Sequence, residues 1–135
     1  MIAEELAKYL QAKGHGTQNE DLFLGFQPAF PVCCVTVYDE TAPVADESNA
    51  LSVDLFGVQV LVRNSTYTGA RDKILEIHKD LVGFGGATFV DGGKLVHAVF
   101  ISTTPASIGR DENGNSEWSA HYIVRVESTG DSYRT

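Results

Sequence analysis

The side chains in this sequence with most chemistry to offer are four histidines, two adjacent cysteines and two arginines that bracket a change of rhythm. His15, His78, His97 and His121 lie far apart, with no second ligand at the spacing of a zinc site. His97 and His121 fall on strands that could pair, and with an acid they would give a small hydrolase or transferase; structural histidines are the expectation. Cys33 and Cys34 are neighbours in the apolar run "PVCCVTVY". Adjacent Cα atoms sit ~3.8 Å apart, whereas a disulfide wants roughly 4.4–6.8 Å. The pair reads as small buried hydrophobes, and it lacks the CxxC spacing of thiol exchange.

The loops give no stronger signal. "GFGGATFVDGGKL" shares only glycines with a phosphate loop, because Gly93-Lys94 is followed by Leu95 and the earlier glycine position holds Thr88. "DENGNS" opens like a calcium loop, yet the sharp-turn position holds Ser116 and the bidentate-acid position Tyr122. No Gly-x-Ser-x-Gly elbow frames a serine. The sequence thus predicts no catalytic residue, no cofactor and no metal.

The stretch "VQVLVRNSTYTGARDKILEIHKDL", Val58 to Leu81, is more informative. It alternates like a strand up to Asn64 and repeats like a helix after Tyr67. Arg63, Tyr67 and Arg71 are expected to form a structural joint, with the arginine forks tying strand end, loop and helix start through carboxylates such as Asp54 or Asp72. An anion site at the helix N-terminus is the sharper alternative.

The elements that must position these residues follow from periodicity. Ile2, Leu6, Tyr9 and Leu10 mark a first helix over about Ile2–Lys13, stopped by Gly14 and Gly16. Leu22–Leu24 and Val32–Tyr38 read as strands separated by Pro28 and Pro31. Asp39–Ser52 is acidic, contains a proline, and reads as a solvated loop. Val53–Asn64 is a long strand with Phe56, Val58, Val60 and Val62 on one face and Gln59, Leu61 and Arg63 on the other. The second helix carries Tyr67, Ala70, Ile74, Ile77, His78 and Leu81 on one stripe, with Ser65 or Thr66 as N-cap and Gly83, Gly85 and Gly86 at its end. Ala87–Val90 and Lys94–Thr103 flank a tight turn at Asp91-Gly92-Gly93. The second of these strands, apolar on both faces, is expected to be central. Pro105–Glu117 reads as a long polar connection, and Glu117–Glu127 as the last strand. The polar tail, Ser128–Thr135, is expected to be flexible.

The predicted order is therefore α-β-β-β-α-β-β-β: a single α+β domain over 1–135, a two-layer sandwich of a mostly antiparallel sheet with both helices on one face. Long loops in a small domain are often functional. This makes Asp39, Glu40, Asp46 and Glu47 in the first loop, and Arg110, Asp111, Glu112 and Asn113 in the second, candidate interaction residues.

Composition narrows the function classes. The 135 residues are 43 % hydrophobic and 21 % charged, enough for a core without disulfides or metal. Net charge is −8, with ten basic residues that form no block; nucleic-acid binding normally needs a basic footprint. No apolar run approaches the ~20 residues of a membrane span. The acidic start, Met1-Ile2-Ala3-Glu4-Glu5, is unlike a signal peptide. Synthesis in the cytoplasm is the expectation.

One segment is familiar. The joint with Val62-Arg63, Tyr67 and Ala70-Arg71, and the preceding "DETAPVADESNAL", resemble the tail-terminator and minor capsid proteins of long-tailed bacteriophages. The resemblance implies a structural protein of the virion rather than an enzyme. Its expected form is a homo-oligomer, a hexameric ring at the head-proximal end of the tail. Such a ring would contact the tail tube protein and the head–tail connector protein, and DNA would pass through without specific binding. A head-completion or adaptor protein, and a soluble ligand-binding module using the mixed sheet face, are the alternatives.

Overall fold

The computed structural model describes residues 2–40 and 53–127. Within them the chain runs α1 (Ile2–Ala12), β1 (Leu22–Leu24), β2 (Cys34–Glu40), β3 (Val53–Asn64), α2 (Tyr67–Leu81), β4 (Ala87–Thr88), β5 (Leu95–Arg110) and β6 (Ser116–Glu127). The strands form one sheet in the order β1-β2-β3-β6-β5-β4. The fold is α+β.

Alternation along the strands decides what each sheet face does. Val35, Val37, Val58, Val60, Val62, Ala120, Tyr122, Val124 and Val126 point to one face and are buried. Against them pack Ile2, Leu6 and Leu10 of α1 and Ala70, Ile74, Ile77 and Leu81 of α2, one apolar stripe from each helix. Removing this apolar area from water is the main driving force for the layer.

Polar contacts set the helices at fixed places on that core. The Thr66 side chain accepts a hydrogen bond from the Gly69 amide at 3.1 Å and caps α2. The cap is tight: a Cβ on Gly69 would collide with Thr66 Oγ1 and Asn64 Oδ1. At the far end Val82 closes the helix and Gly83 takes a positive φ of 80°. His15, just beyond α1, pairs with Asp80 near the end of α2, and the Tyr9 hydroxyl donates to the Asp80 carbonyl at 3.2 Å. Glu5 accepts the Lys94 amide, tying α1 to the β4–β5 turn.

The structure corrects the sequence reading in three places. β1 joins β2 in parallel, so the sheet expected to be mostly antiparallel is a mixed one; its other four pairings are antiparallel. β5 is not central: β3 and β6 are, and β5 is flanked outside only by β4, paired at Leu95 and Val96. The supposed polar connection from Pro105 is strand as far as Arg110, and only a short turn separates it from Ser116. Four register shifts against β6 let β5 run that far. Each bulge adds twist and bends the strand, so apolar–polar alternation is lost and the segment looks like loop from sequence. Asp46, Glu47 and the tail from Ser128 lie outside the described residues.

The α2 cap is testable. Thr66→Ala removes the acceptor for the Gly69 amide and is expected to lower stability by about 1 kcal/mol, read from urea unfolding followed by far-UV circular dichroism.

Candidate functional site

The second sheet face holds the unusual chemistry. Arg63, on the side of β3 opposite Val62, is only 6 % exposed. Its Nε donates to the Val32 carbonyl at 2.8 Å, and its Nη2 donates to the carbonyls of Pro28 at 2.7 Å, Pro31 at 2.7 Å and Ala29 at 3.3 Å. The guanidinium thereby holds the segment between β1 and β2 against the sheet. Prolines carry no N–H, so a segment with Pro28 and Pro31 is secured through its carbonyls, and an arginine fork offers several donors to them at once. The neighbouring Gln27 amide donates to Glu117 of β6 at 2.8 Å. Cys34, Arg63 and Glu117 are register partners across β2, β3 and β6. Burial pushes the Cys34 thiol and the Tyr38 hydroxyl above their ordinary values, with the Arg63 charge pulling each partly back.

The three residues expected to form one joint are placed separately. Arg63 bonds to the carbonyls of the β1–β2 segment rather than to a carboxylate at the helix start. Tyr67 packs its ring against Trp118 of β6, with centroids 5.4 Å apart. Arg71 pairs at the surface with its sequence neighbour Asp72 at 3.3 Å. The corner exists, but Arg63 braces a loop on one sheet face while Tyr67 serves the other.

The candidate interaction residues also divide. Asp39 and Glu40 end β2 rather than sit in a loop, and Arg110 ends β5. Asp111, Glu112 and Asn113 form the β5–β6 turn. Asp111 organises it by accepting the Asn113 and Asn115 amides, each at 2.9 Å, and the Asn115 amide bond chiefly holds its carboxyl below the usual carboxylate value.

His15, His78 and His121 are engaged, though not with one another. His97 is exposed on β5, whereas His121 stands opposite Thr103, so the two are not register partners. His121 Nδ1 meets the Glu40 carboxylate at 2.8 Å, and its Nε2 lies 3.2 Å from the Ser119 hydroxyl, which accepts from Gln59 at 2.9 Å. The order serine–histidine–acid resembles a nucleophilic triad. Ser119, however, is buried mid-strand between Leu61 and Ala106, where neighbouring backbone amides serve the two sheet ladders instead of an oxyanion. The chain of contacts orients β2 against β6. His78 meets the Tyr122 hydroxyl at 2.6 Å beneath α2; burial lowers its pKa and raises that of Tyr122.

A cleft of about 370 Å³ opens beside the first turns of α2, lined by residues that include His15, Asp21, Cys33, Asp72, Lys73 and Glu76. Cys33 is exposed there and Cys34 is buried; both are free thiols, so only Cys34 matches the buried reading. Among the described residues no three of His, Cys, Asp and Glu gather as metal ligands, and no helix is long and apolar enough to cross a membrane.

Two exposed apolar features stand out among the described residues, beside exposed Leu75 and Val82 on and after α2. Phe26 and Phe30, on the segment that Arg63 holds, are 58 % and 79 % exposed. Among the described residues, the outer edge of β5 beyond Val99 pairs with no strand, and it carries exposed Phe100, Ile101 and Ile108. The Phe26–Pro31 anchor was legible only as two prolines between strands; its link to Arg63 needs the fold.

The fold is a mixed sheet with two helices on one face, and among the described residues it carries apolar surface on a braced loop and along a β5 edge without a strand partner. The sequence model of the family described as bacteriophage tail terminator protein matches residues 9–128. The chain belongs to that family and is a structural protein of the phage virion. A search of curated proteins finds no match to it.

Two outcomes follow. Arg63→Lys keeps a charge but loses the fork; stability is expected to fall by about 2 kcal/mol or more, with faster proteolysis within Gly25–Cys33, measured by urea unfolding and limited digestion. For His78 the folded pKa lies below the unfolded one, so the unfolded chain binds more protons and this residue's contribution is lost as pH falls below about 6.5. An NMR titration should give the His78 ring a midpoint below 6.5, the ordinary value.

Proposed function

We propose that the chain is the subunit of a ring, of six copies, that caps the finished tail tube and joins it to the head. Membership of the tail terminator family over residues 9–128 carries this reading. The expected size of the subunit supports it. A compact chain of this length has a radius of gyration of ~14 Å, hence a diameter of about 36 Å, and six such bodies in contact leave a central hole of similar width. Each copy carries a net charge of −8. A lumen of that sign lets DNA pass without holding it, because cationic contacts are what retain phosphate.

One face of the ring would meet the last ring of tube protein and the other the connector. Asp39, Glu40 and the Asp111–Asn113 turn end strands at the sheet margins and are proposed contact points, as are Asp46 and Glu47. Arg63, Tyr67 and Arg71 serve folding around these surfaces. A tail terminator predicts head-proximal placement in the virion.

The test is to mix purified protein with tail tubes and image them. Six-fold rings at one end of each tube are expected. Failure to bind tubes, or decoration along their whole length, would contradict the capping role; density on the head connector in tail-free heads would indicate head completion instead.

A further inference from the structure

We propose that the Gly25–Cys33 segment is a preformed anchor for a second copy of this chain, seating Phe30 and Phe26 of one subunit against the outer edge of β5 of the next, around Phe100 and Ile108. The inference deepens the ring reading and rests on it for self-association.

The first observation is the cost of the anchor. A buried guanidinium gives up its hydration, and such groups seldom maximise stability. Here the Arg63 bonds fix the shape of a segment that has no strand pairing of its own. The shape holds Phe30 out in solvent, where a large apolar ring gains nothing for the isolated subunit. A braced aromatic is a low-entropy contact, since little freedom remains to be lost on docking. Aromatic side chains of this kind dominate binding energy at interfaces.

The second observation points to another copy as the occupant. Copies of a −8 chain repel one another, so they must meet where charge is sparse. The two longest stretches without Asp, Glu, Lys or Arg are Leu22–Tyr38 and Leu95–Gly109. The first contains the anchor and the second contains the β5 edge that pairs with no strand among the described residues. One chain therefore carries both an exposed aromatic pair and a stretch of strand without charged residues, with Phe100, Ile101 and Ile108 exposed among its serines and threonines.

The third observation is their separation. The anchor and the β5 edge are different surfaces, so the contact is head-to-tail, the type that closes into a ring when the rotation allows. The register shifts between Ile101 and Gly109 kink the edge. A kinked edge disfavours regular strand addition and favours seating of side chains.

The test uses the full chain in four samples: wild type, Phe30→Ser, Ile108→Asp, and an equimolar mixture of the two variants. Sedimentation velocity and mass photometry report size; circular dichroism and Tm report folding. Both residues are mostly exposed, so Tm should stay near that of the wild type. Wild type should form closed oligomers. Each variant alone should dissociate, with Kd raised roughly 30-fold or more. The mixture should form heterodimers, because Ile108→Asp keeps an intact anchor and Phe30→Ser keeps an intact edge. Folded variants that retain wild-type oligomers overturn this contact and leave the ring reading standing. A mixture that yields no heterodimer overturns the anchor–edge pairing. A wild type that stays monomeric at every concentration, and adds to tube ends as single subunits, overturns the ring and the contact together.

Discussion

The guanidinium of Arg63 holds the second face of this molecule together. Without it, the carbonyls of Pro28, Ala29, Pro31 and Val32 would lose their side-chain donor, and the link between β1 and β2 would be tied to the sheet chiefly by the Gly25 amide on Val37 and by Gln27 on Glu117. Cys34, Thr36, Leu61 and Ser119 are buried on this same face, away from both helices. The price of the Arg63 brace is a desolvated cation, offset by charge-assisted hydrogen bonds and by Glu117 as cross-strand neighbour.

The two faces divide the work of the protein. The helical face is oily and closed by the His15–Asp80 and His78–Tyr122 contacts. The second face is polar at its centre, with the Gln59–Ser119–His121–Glu40 chain crossing three strands, and the segment Arg63 holds there carries exposed Phe26 and Phe30. Nothing in that arrangement aims donors at a developing charge. Its groups hold strands in register and present surface, which suits a member of a structural phage tail family.

Much of the fold was legible in the sequence because its periods are clean. The helices, the β3 alternation and the Thr66 cap each follow from residue type and spacing. What the sequence hid has physical causes. A three-residue parallel strand, β1, has too few positions to show a pairing direction. The bulges in β5 erase the two-residue period that would mark Pro105–Arg110 as strand. The role of Arg63 was half legible: its place at the strand end marked a brace, but partners that are backbone carbonyls some thirty positions away leave no trace in side-chain types. The carboxylate partners expected for it were the natural inference from charge alone. Phe30 was hidden for the same reason, since an exposed aromatic and a buried one are the same letter.

The account stands or falls on whether the Gly25–Cys33 segment is rigid before any partner arrives. Backbone ¹⁵N relaxation on the free subunit measures this at the amides of Phe26, Ala29 and Phe30. If Arg63 braces the segment, their order parameters should be near those of β2 and β3, at about 0.85. Values below about 0.6 would show a loose loop and contradict the claim that the guanidinium sets its shape.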